Sequence, residues 1–207
     1  MKVLVVTDPL CSWCWGMAPA VEDAMQRLAG DVEFDLMLGG INLHSTRPVG
    51  DYGRRLLAHI WREVVATTGQ QFGFVLPDGI VYNSRRACLA VAGVRRAIGR
   101  PPFGYLHRLQ QQLFVEGRDI TAPDLLAATA DELGLPGRAV REAMADAGLA
   151  AELEAEFDRA RSYGTNAMPS VVVELDGERE LLAGGYADGA MLESLVRGRL
   201  ARHRQRG

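Results

Sequence analysis

Residues 2–16 read Lys-Val-Leu-Val-Val-Thr-Asp-Pro-Leu-Cys-Ser-Trp-Cys-Trp-Gly, and this stretch restricts the fold more than any other. Val3 to Val6 is a β-branched-rich run suited to a buried strand. Pro9 stops it, since proline removes a ladder donor. From Cys14 to Ala29 the apolar residues follow helical spacing, with Ala18, Val21, Met25 and Leu28 on one side and Gly30 at the end. Val32, Phe34, Leu36 and Leu38 then alternate as a second strand, closed by Gly39-Gly40. Two cysteines separated by two residues therefore stand at the strand-to-helix junction of a strand–helix–strand unit. In that position C-x-x-C reads as a thiol–disulfide exchange site.

The chemistry needs a nucleophilic thiolate and a second thiol that attacks the mixed disulfide. The first turn of a helix brings both sulfurs within bridging reach. Its unpaired N–H groups and dipole favour a thiolate on the first cysteine, so the Cys11 pKa is expected below the ordinary value of about 8.5. Cys11 is read as the nucleophile, in the more exposed position, and Cys14 as the resolving thiol. Ser12-Trp13 between them supplies no basic group. Asp8, if buried nearby, would oppose thiolate formation or assist proton transfer. Trp13 is expected partly exposed, in reach of an apolar substrate, and Trp15 in the core.

The competing reading of the pair is half of a zinc site. Structural zinc takes four ligands, and only Cys88 and the scattered His44, His59, His107 and His203 remain to complete them. No metal and no resident cofactor are expected. Cys88 lies in a helical pattern and reads as a buried inert thiol, with a regulatory or third redox thiol as the alternative.

The chain has 207 residues, 48% of them hydrophobic and 24% charged, enough for one domain or a core domain with a large insertion. A net charge of −3 gives no electrostatic case for nucleic acid or an acidic membrane surface. Three cysteines are too few for a secreted disulfide scaffold. The opening apolar run is too short for a signal peptide, and no stretch of roughly 20 apolar residues suggests a membrane span. The expected location is the cytoplasm. The basic run 197–206 is read as complementing the negative end of a last helix.

Residues 41–148 look helical. Asp51 begins a helix to about Thr68, with Leu56, Leu57, Ile60, Trp61, Val64 and Val65 as a broad apolar face. Asn83 and Ser84 are N-cap residues for a segment to Ile98, with Arg85-Arg86 and Arg95-Arg96 read as solvated. Helices follow Pro101-Pro102, run from Thr121 to Leu133, and begin at Pro136. Leu149 to Tyr163 is helical again. Ser170 to Leu175 is a strand, Asp176-Gly177 a hairpin turn, Arg179 to Ala183 the return strand, and Asp188 the cap of a last helix using Met191, Leu192, Leu195 and Leu200. The expected division is a discontinuous domain, 1–40 with 149–207, and a helical insertion over 41–148. Met168-Pro169, directly before the Val171–Val173 strand, is the second unusual feature, because a proline there suits only an edge or bend.

Asp8-Pro-Leu-Cys-Ser-Trp-Cys-Trp-Gly-Met-Ala-Pro19, Tyr82-Asn83-Ser84 with Ala87, and Ala167-Met168-Pro169 together resemble the DsbA-like thioredoxin superfamily, closest to its cytoplasmic FrnE-type branch. The resemblance covers nearly the whole chain. It implies an α/β thioredoxin fold, a mixed central sheet with flanking helices interrupted by an all-helical insertion. It further implies redox-active Cys11 and Cys14, a cis Pro169 facing them, and a substrate groove at Trp13, Met168 and Pro169. The periplasmic member's Cys-Pro-His-Cys is replaced here by Cys-Ser-Trp-Cys, which argues against a strong secretory oxidant. Partners implied are protein or peptide thiols and disulfides, with glutathione or a thioredoxin-type donor as exchange partner. Two rival functions remain. One is a glutathione-dependent transferase or isomerase similar to the kappa class and to 2-hydroxychromene-2-carboxylate isomerases, in which Asn83 and Asp188 would contact a small thiol. The other is a non-catalytic binding module.

Overall fold

The computed structural model describes residues 1–163 and 167–205. The elements follow the order β1 (Lys2–Thr7), α1 (Ser12–Arg27), β2 (Glu33–Leu38), α2 (Asp51–Thr68), α3 (Arg85–Ile98), α4 (Phe103–Phe114), α5 (Pro123–Glu132), α6 (Gly137–Ala143), α7 (Ala147–Arg161), β3 (Ser170–Leu175), β4 (Glu178–Gly184) and α8 (Gly189–Arg204). The sheet order is β2-β1-β3-β4. β1 runs parallel to β2 and antiparallel to β3, with Val5 opposite Leu36 on one side and Val171 on the other. β3 and β4 form a hairpin whose turn residues Asp176 and Gly177 both have positive φ, which suits the right-handed twist of the flanking strands. This is the mixed sheet with flanking helices of a thioredoxin fold.

β1 is buried on both faces, and its alternation divides the core. Val3 and Val5 join the large cluster containing Met17 and Val21 of α1 and Leu192 and Val196 of α8. Leu4 and Val6 turn the other way, toward Met37, Ala160 and Val172. The large cluster runs on without interruption through Trp61, Leu106, Leu113, Leu126 and Val140, so the helices between β2 and α7 share one core with the sheet.

Two features fix the helices around β1. Pro19 lies inside α1 and has no N–H to give the Trp15 carbonyl one turn back. The Gln70 side chain donates to that carbonyl instead (3.1 Å), while the Trp15 indole donates to the Gln71 carbonyl (2.9 Å). Trp15 is accordingly half-buried rather than a core residue. Gly16 permits the close approach of α2, because a β-carbon there would lie 2.6 Å from Val64 Cγ1. That contact is narrow. Of the six residues that make up the apolar face of α2, only Trp61 and Val64 are buried, and Leu56 is 47% exposed.

Arg95 departs from the reading of a solvated pair. The Glu156 carboxylate of α7 accepts the Leu38 N–H (2.8 Å), and Arg95 of α3 donates to the Leu36 carbonyl (3.2 Å). Arg95 and Glu156 also pair through two N–H···O contacts, one of 2.9 Å. Two side chains thus occupy backbone groups on the outer edge of β2 where another strand would bond. Arg96 pairs with Asp146 and Glu152 at the surface. In the C-terminal run, Arg197 bonds Glu193 and Asp31 and Arg199 bonds Glu180, tying α8 to its neighbours; Arg206 lies outside the described residues.

Arg95→Ala is expected to lower the free energy of unfolding by about 3 kcal/mol, because it leaves the Glu156 carboxylate buried without its cation. Urea denaturation checks this, and a variant within about 0.5 kcal/mol of wild type, the range of ordinary surface changes, would contradict it.

Candidate active site

The turn from β1 into α1 is held by the backbone and side chain of one residue. Asp8 accepts the Cys11 N–H on its carbonyl (3.1 Å) and the Leu10 N–H on its carboxylate (2.8 Å), a local Asx-type turn. Cys11 follows as the N-cap of α1, and its sulfur accepts the Cys14 N–H at 3.1 Å. A sulfur in this position takes the role that serine or aspartate oxygen plays at other helix starts. Cys14 lies in the first turn. All three cysteines are unbridged in this structure.

Cys11 and Cys14 are buried to nearly the same extent, 6% exposed for Cys11 and 5% for Cys14. The expected difference in exposure is therefore absent. Burial pushes the Cys11 thiol well above its ordinary range, and the neighbouring Cys14 thiol adds to this. The Cys14 N–H pulls the other way, and the Asp8 charge adds a smaller upward push. The low pKa expected from the helix terminus alone does not survive the loss of water around the sulfur.

Asp8 is itself fully buried. Loss of hydration raises its carboxyl from 3.8 to about 6, although donors from Ser84, Leu10, Cys88 and Gly40 oppose the shift. Ser84 donates at 2.6 Å and Cys88 at 3.4 Å to the same carboxylate oxygen. The Tyr82 hydroxyl donates to the Leu10 carbonyl (2.7 Å), and Gln110 Nε2 to the Asp8 carbonyl (3.1 Å). Cys88 is completely buried, and burial lifts its thiol well up, in keeping with the inert-thiol reading. In the sequence Ser84 reads as a helix cap and Gln110 carries no role. The only signal for Gln110 was a polar residue among Leu106, Leu109 and Leu113 in α4. Asn83 Oδ1 accepts the Arg85 N–H, and Asp188 accepts the Met191 N–H at the start of α8, so both act as caps.

Across from Cys11 lies the segment entering β3. The Met168–Pro169 peptide is cis, and the Met168 carbonyl accepts from the Cys11 thiol at 3.6 Å. Pro169 is buried, with its carbonyl bonded to the Gly185 N–H at 2.9 Å. The half-buried Met168 fits because Gly39 has no side chain; a β-carbon there would collide with Met168 Sδ. A groove of about 180 Å³ opens beside it, lined by Val6, Gly39, Gly40, Ala160, Arg161 and Met168. Trp13 is half-buried and packs against Tyr186, ring centroids 6.3 Å apart. The structure thus brings Cys11, Cys14 and Met168-Pro169 together, with Trp13 beside Tyr186. Among the described residues, no group of three or more His, Cys, Asp and Glu side chains is arranged to hold a metal ion, and no helix is long and apolar enough to cross a membrane.

Asp8 gives a signed pH dependence. Its carboxyl holds a proton more tightly in the folded chain than in the unfolded one, so the stability it contributes is complete below pH 3.8 and is lost as pH rises through about 6. Relative to Asp8→Asn, the wild-type protein is expected to lose about 2 kcal/mol of stability between about pH 4.5 and about pH 8, measured by urea denaturation. A constant difference across that range would contradict the buried-carboxyl assignment.

The chain spans 58% of the length of a curated relative, the ClpXP adapter protein SpxH of Halalkalibacterium halodurans, with 22% identity over 177 residues and 83% of this chain covered. Among solved structures, a candidate protein disulfide isomerase from Nitrosomonas europaea superposes with a TM-score of 0.89 at 30% identity, covering 98% of each chain. The cytosolic disulfide reductase DsbM from Pseudomonas aeruginosa superposes with a TM-score of 0.80 at 29% identity, covering 97% of this chain and 99% of that one. DsbM has also been solved with glutathione, and that form matches with a TM-score of 0.78 at 28% identity, over 97% of this chain and 100% of that one. The family model for the DSBA-like thioredoxin domain matches residues 2–196. With that match running from the first strand into the last helix, this chain belongs to the DSBA-like thioredoxin family.

Proposed function

We propose that the protein reduces disulfides of protein or peptide substrates through Cys11 and Cys14. The observation that carries this reading is the Cys11 sulfur at the mouth of α1, 3.1 Å from the Cys14 N–H and 3.6 Å from the Met168 carbonyl. The Cys11 thiolate attacks a substrate disulfide, forming a mixed disulfide and releasing one substrate thiolate, which takes up a proton. The Cys14 thiolate then attacks Cys11 Sγ, releasing the second substrate thiol and leaving the Cys11–Cys14 disulfide. Two electrons pass from the dithiol to the substrate. Glutathione or a thioredoxin-type dithiol restores the reduced pair. Trp13, Met168 and Pro169 form the substrate-contact surface in this reading, and no metal takes part.

The direction follows from the thiol. A pair whose reduced form is stabilised as thiolate is a strong oxidant. Burial disfavours the thiolate at Cys11, so this source of oxidising power is missing here, which favours the reductive direction. A reducing compartment, the cytoplasm, suits such a couple, and a disulfide reductase among the structural relatives supports the same direction. A second reading, a binding module that holds a partner without turnover, has the similarity to the SpxH adapter in its favour. The transferase or isomerase reading differs by not needing Cys14.

Insulin reduction by the wild-type protein is expected to speed up as pH rises through the range of about 7 to about 9, because the rate follows the fraction of Cys11 thiolate. Cys11→Ser should reduce turnover to background, and Cys14→Ser should accumulate a mixed disulfide on Cys11. Equal turnover in wild type and Cys11→Ser would overturn the proposal. Partner capture unaffected by loss of both cysteines would favour the binding module, and glutathione-dependent activity surviving Cys14→Ser the transferase.

A further inference from the structure

Ser84 stands at the N-cap position of α3, but its side chain makes no cap bond there. Its hydroxyl bonds outside the helix instead, with Cys88 Sγ one turn on in α3 donating to it at 3.7 Å. The hydroxyl donates to Asp8 Oδ2 at 2.6 Å and accepts the Ile41 N–H at 2.7 Å. Cys88, one turn further along α3, points its thiol at the same Asp8 oxygen (3.4 Å). Tyr82 and Gln110 take the Leu10 and Asp8 carbonyls. Four side chains from beyond β2 therefore occupy the acceptors of the short segment that ends in Cys11. A residue that abandons a local structural rule in a fully buried place is where function is expected.

We propose that Ser84 is a positioning residue of the dithiol centre, its hydroxyl holding the Asp8 carboxylate under the Cys11 turn and so setting the negative charge against which Cys11 ionises. The proposal rests on the dithiol reading of Cys11 and goes further, since it places control of that thiol in α3. The titratable groups facing Asp8 are Cys11 and Tyr82, which both feel its charge, and Cys88. Cys14 acts on Cys11 and Tyr82, and the Arg95–Glu156 pair reaches Cys88. No lysine, arginine or histidine is among the hydrogen-bond partners of Asp8. Burial holds the proton on this carboxylate, and its donors, Ser84 foremost, work against that hold. Removing the Ser84 hydroxyl makes Asp8 keep the proton to higher pH. Near neutrality Cys11 then ionises beside a more nearly neutral neighbour, and its thiolate forms more readily.

The experiment is the pH profile of Cys11 alkylation by iodoacetamide in a Cys14→Ala background, with the modified residue identified by mass spectrometry. Ser84→Ala should move the inflection due to Asp8 upward by about one pH unit and raise the rate near pH 7 several-fold. Ser84→Thr, which keeps the hydroxyl, should restore the parent profile. Asp8→Asn should erase the inflection and make Ser84→Ala silent. An unmoved profile in Ser84→Ala, whatever happens to its melting temperature, overturns the proposal. If Ser84→Ala does not fold, Cys88→Ala removes the second donor to the same oxygen and must shift the profile in the same direction; no shift overturns it equally. Alkylation needs no disulfide substrate. A shifted profile without insulin reduction by the intact dithiol would therefore sustain the role of Ser84 while defeating the reductase reading.

Discussion

The hydrogen bond from Ser84 to Asp8 joins the two parts of this fold at the turn that carries Cys11. Asp8 closes the turn that carries Cys11, and it does so while buried, with no cation among its hydrogen-bond partners in the described residues. A carboxylate so placed is tolerated only when its oxygens are filled by donors. Leu10 fills one from within the turn, and Ser84 and Cys88 fill the other from α3. The helices that follow β2 are thus more than an appended lid on a thioredoxin core. They supply the donors without which the Cys11 turn would leave buried polar groups unpaired.

Local patterns in the sequence specified the elements well. The Val3–Val6 run, the Pro9 break, the Asp176-Gly177 turn and the Asp188 cap each have a short-range cause, and each lies where that cause puts it. The ends of helices moved by a residue or two, as at α1, which starts at Ser12 because Cys11 itself serves as cap. What could not be read depended on partners far away in the chain. Arg95 looks solvated beside Arg96 until α7 brings Glu156 to it. The apolar residues of α2 look like one face, yet only Trp61, against Phe72 and Phe114, and Val64, near Gly16, are buried. Gln110 is silent in sequence because its partner is the backbone of Asp8, about a hundred residues earlier.

The candidate site shows the same division. C-x-x-C at a strand-to-helix junction and a proline before a valine-rich strand were legible as two halves of one site. The charge state of the site was not. Helix-terminal N–H groups argue for an acidic thiol, and burial argues against it. Only the depth of Cys11 decides which effect wins, and that depth is made by side chains from several elements. A thiol that ionises reluctantly and a carboxylate that ionises late sit on the same turn, so their proton equilibria are linked through a shared patch of dry interior.

The Arg95–Glu156 pair has a meaning for how this sheet meets other molecules. By occupying the Leu36 carbonyl and the Leu38 N–H, it makes the sheet one-sided toward any chain that would pair backbone to backbone. Such a chain finds β2 already bonded and has only the β4 flank to approach. There Glu178, Arg179 and Glu180 line the strand in alternating sign, with Arg179 tied to Glu174 and Glu180 to Arg199. Charged side chains on an edge discourage indiscriminate strand addition. With one edge occupied and the other lined by charge, the sheet is kept from becoming a template for extended chains.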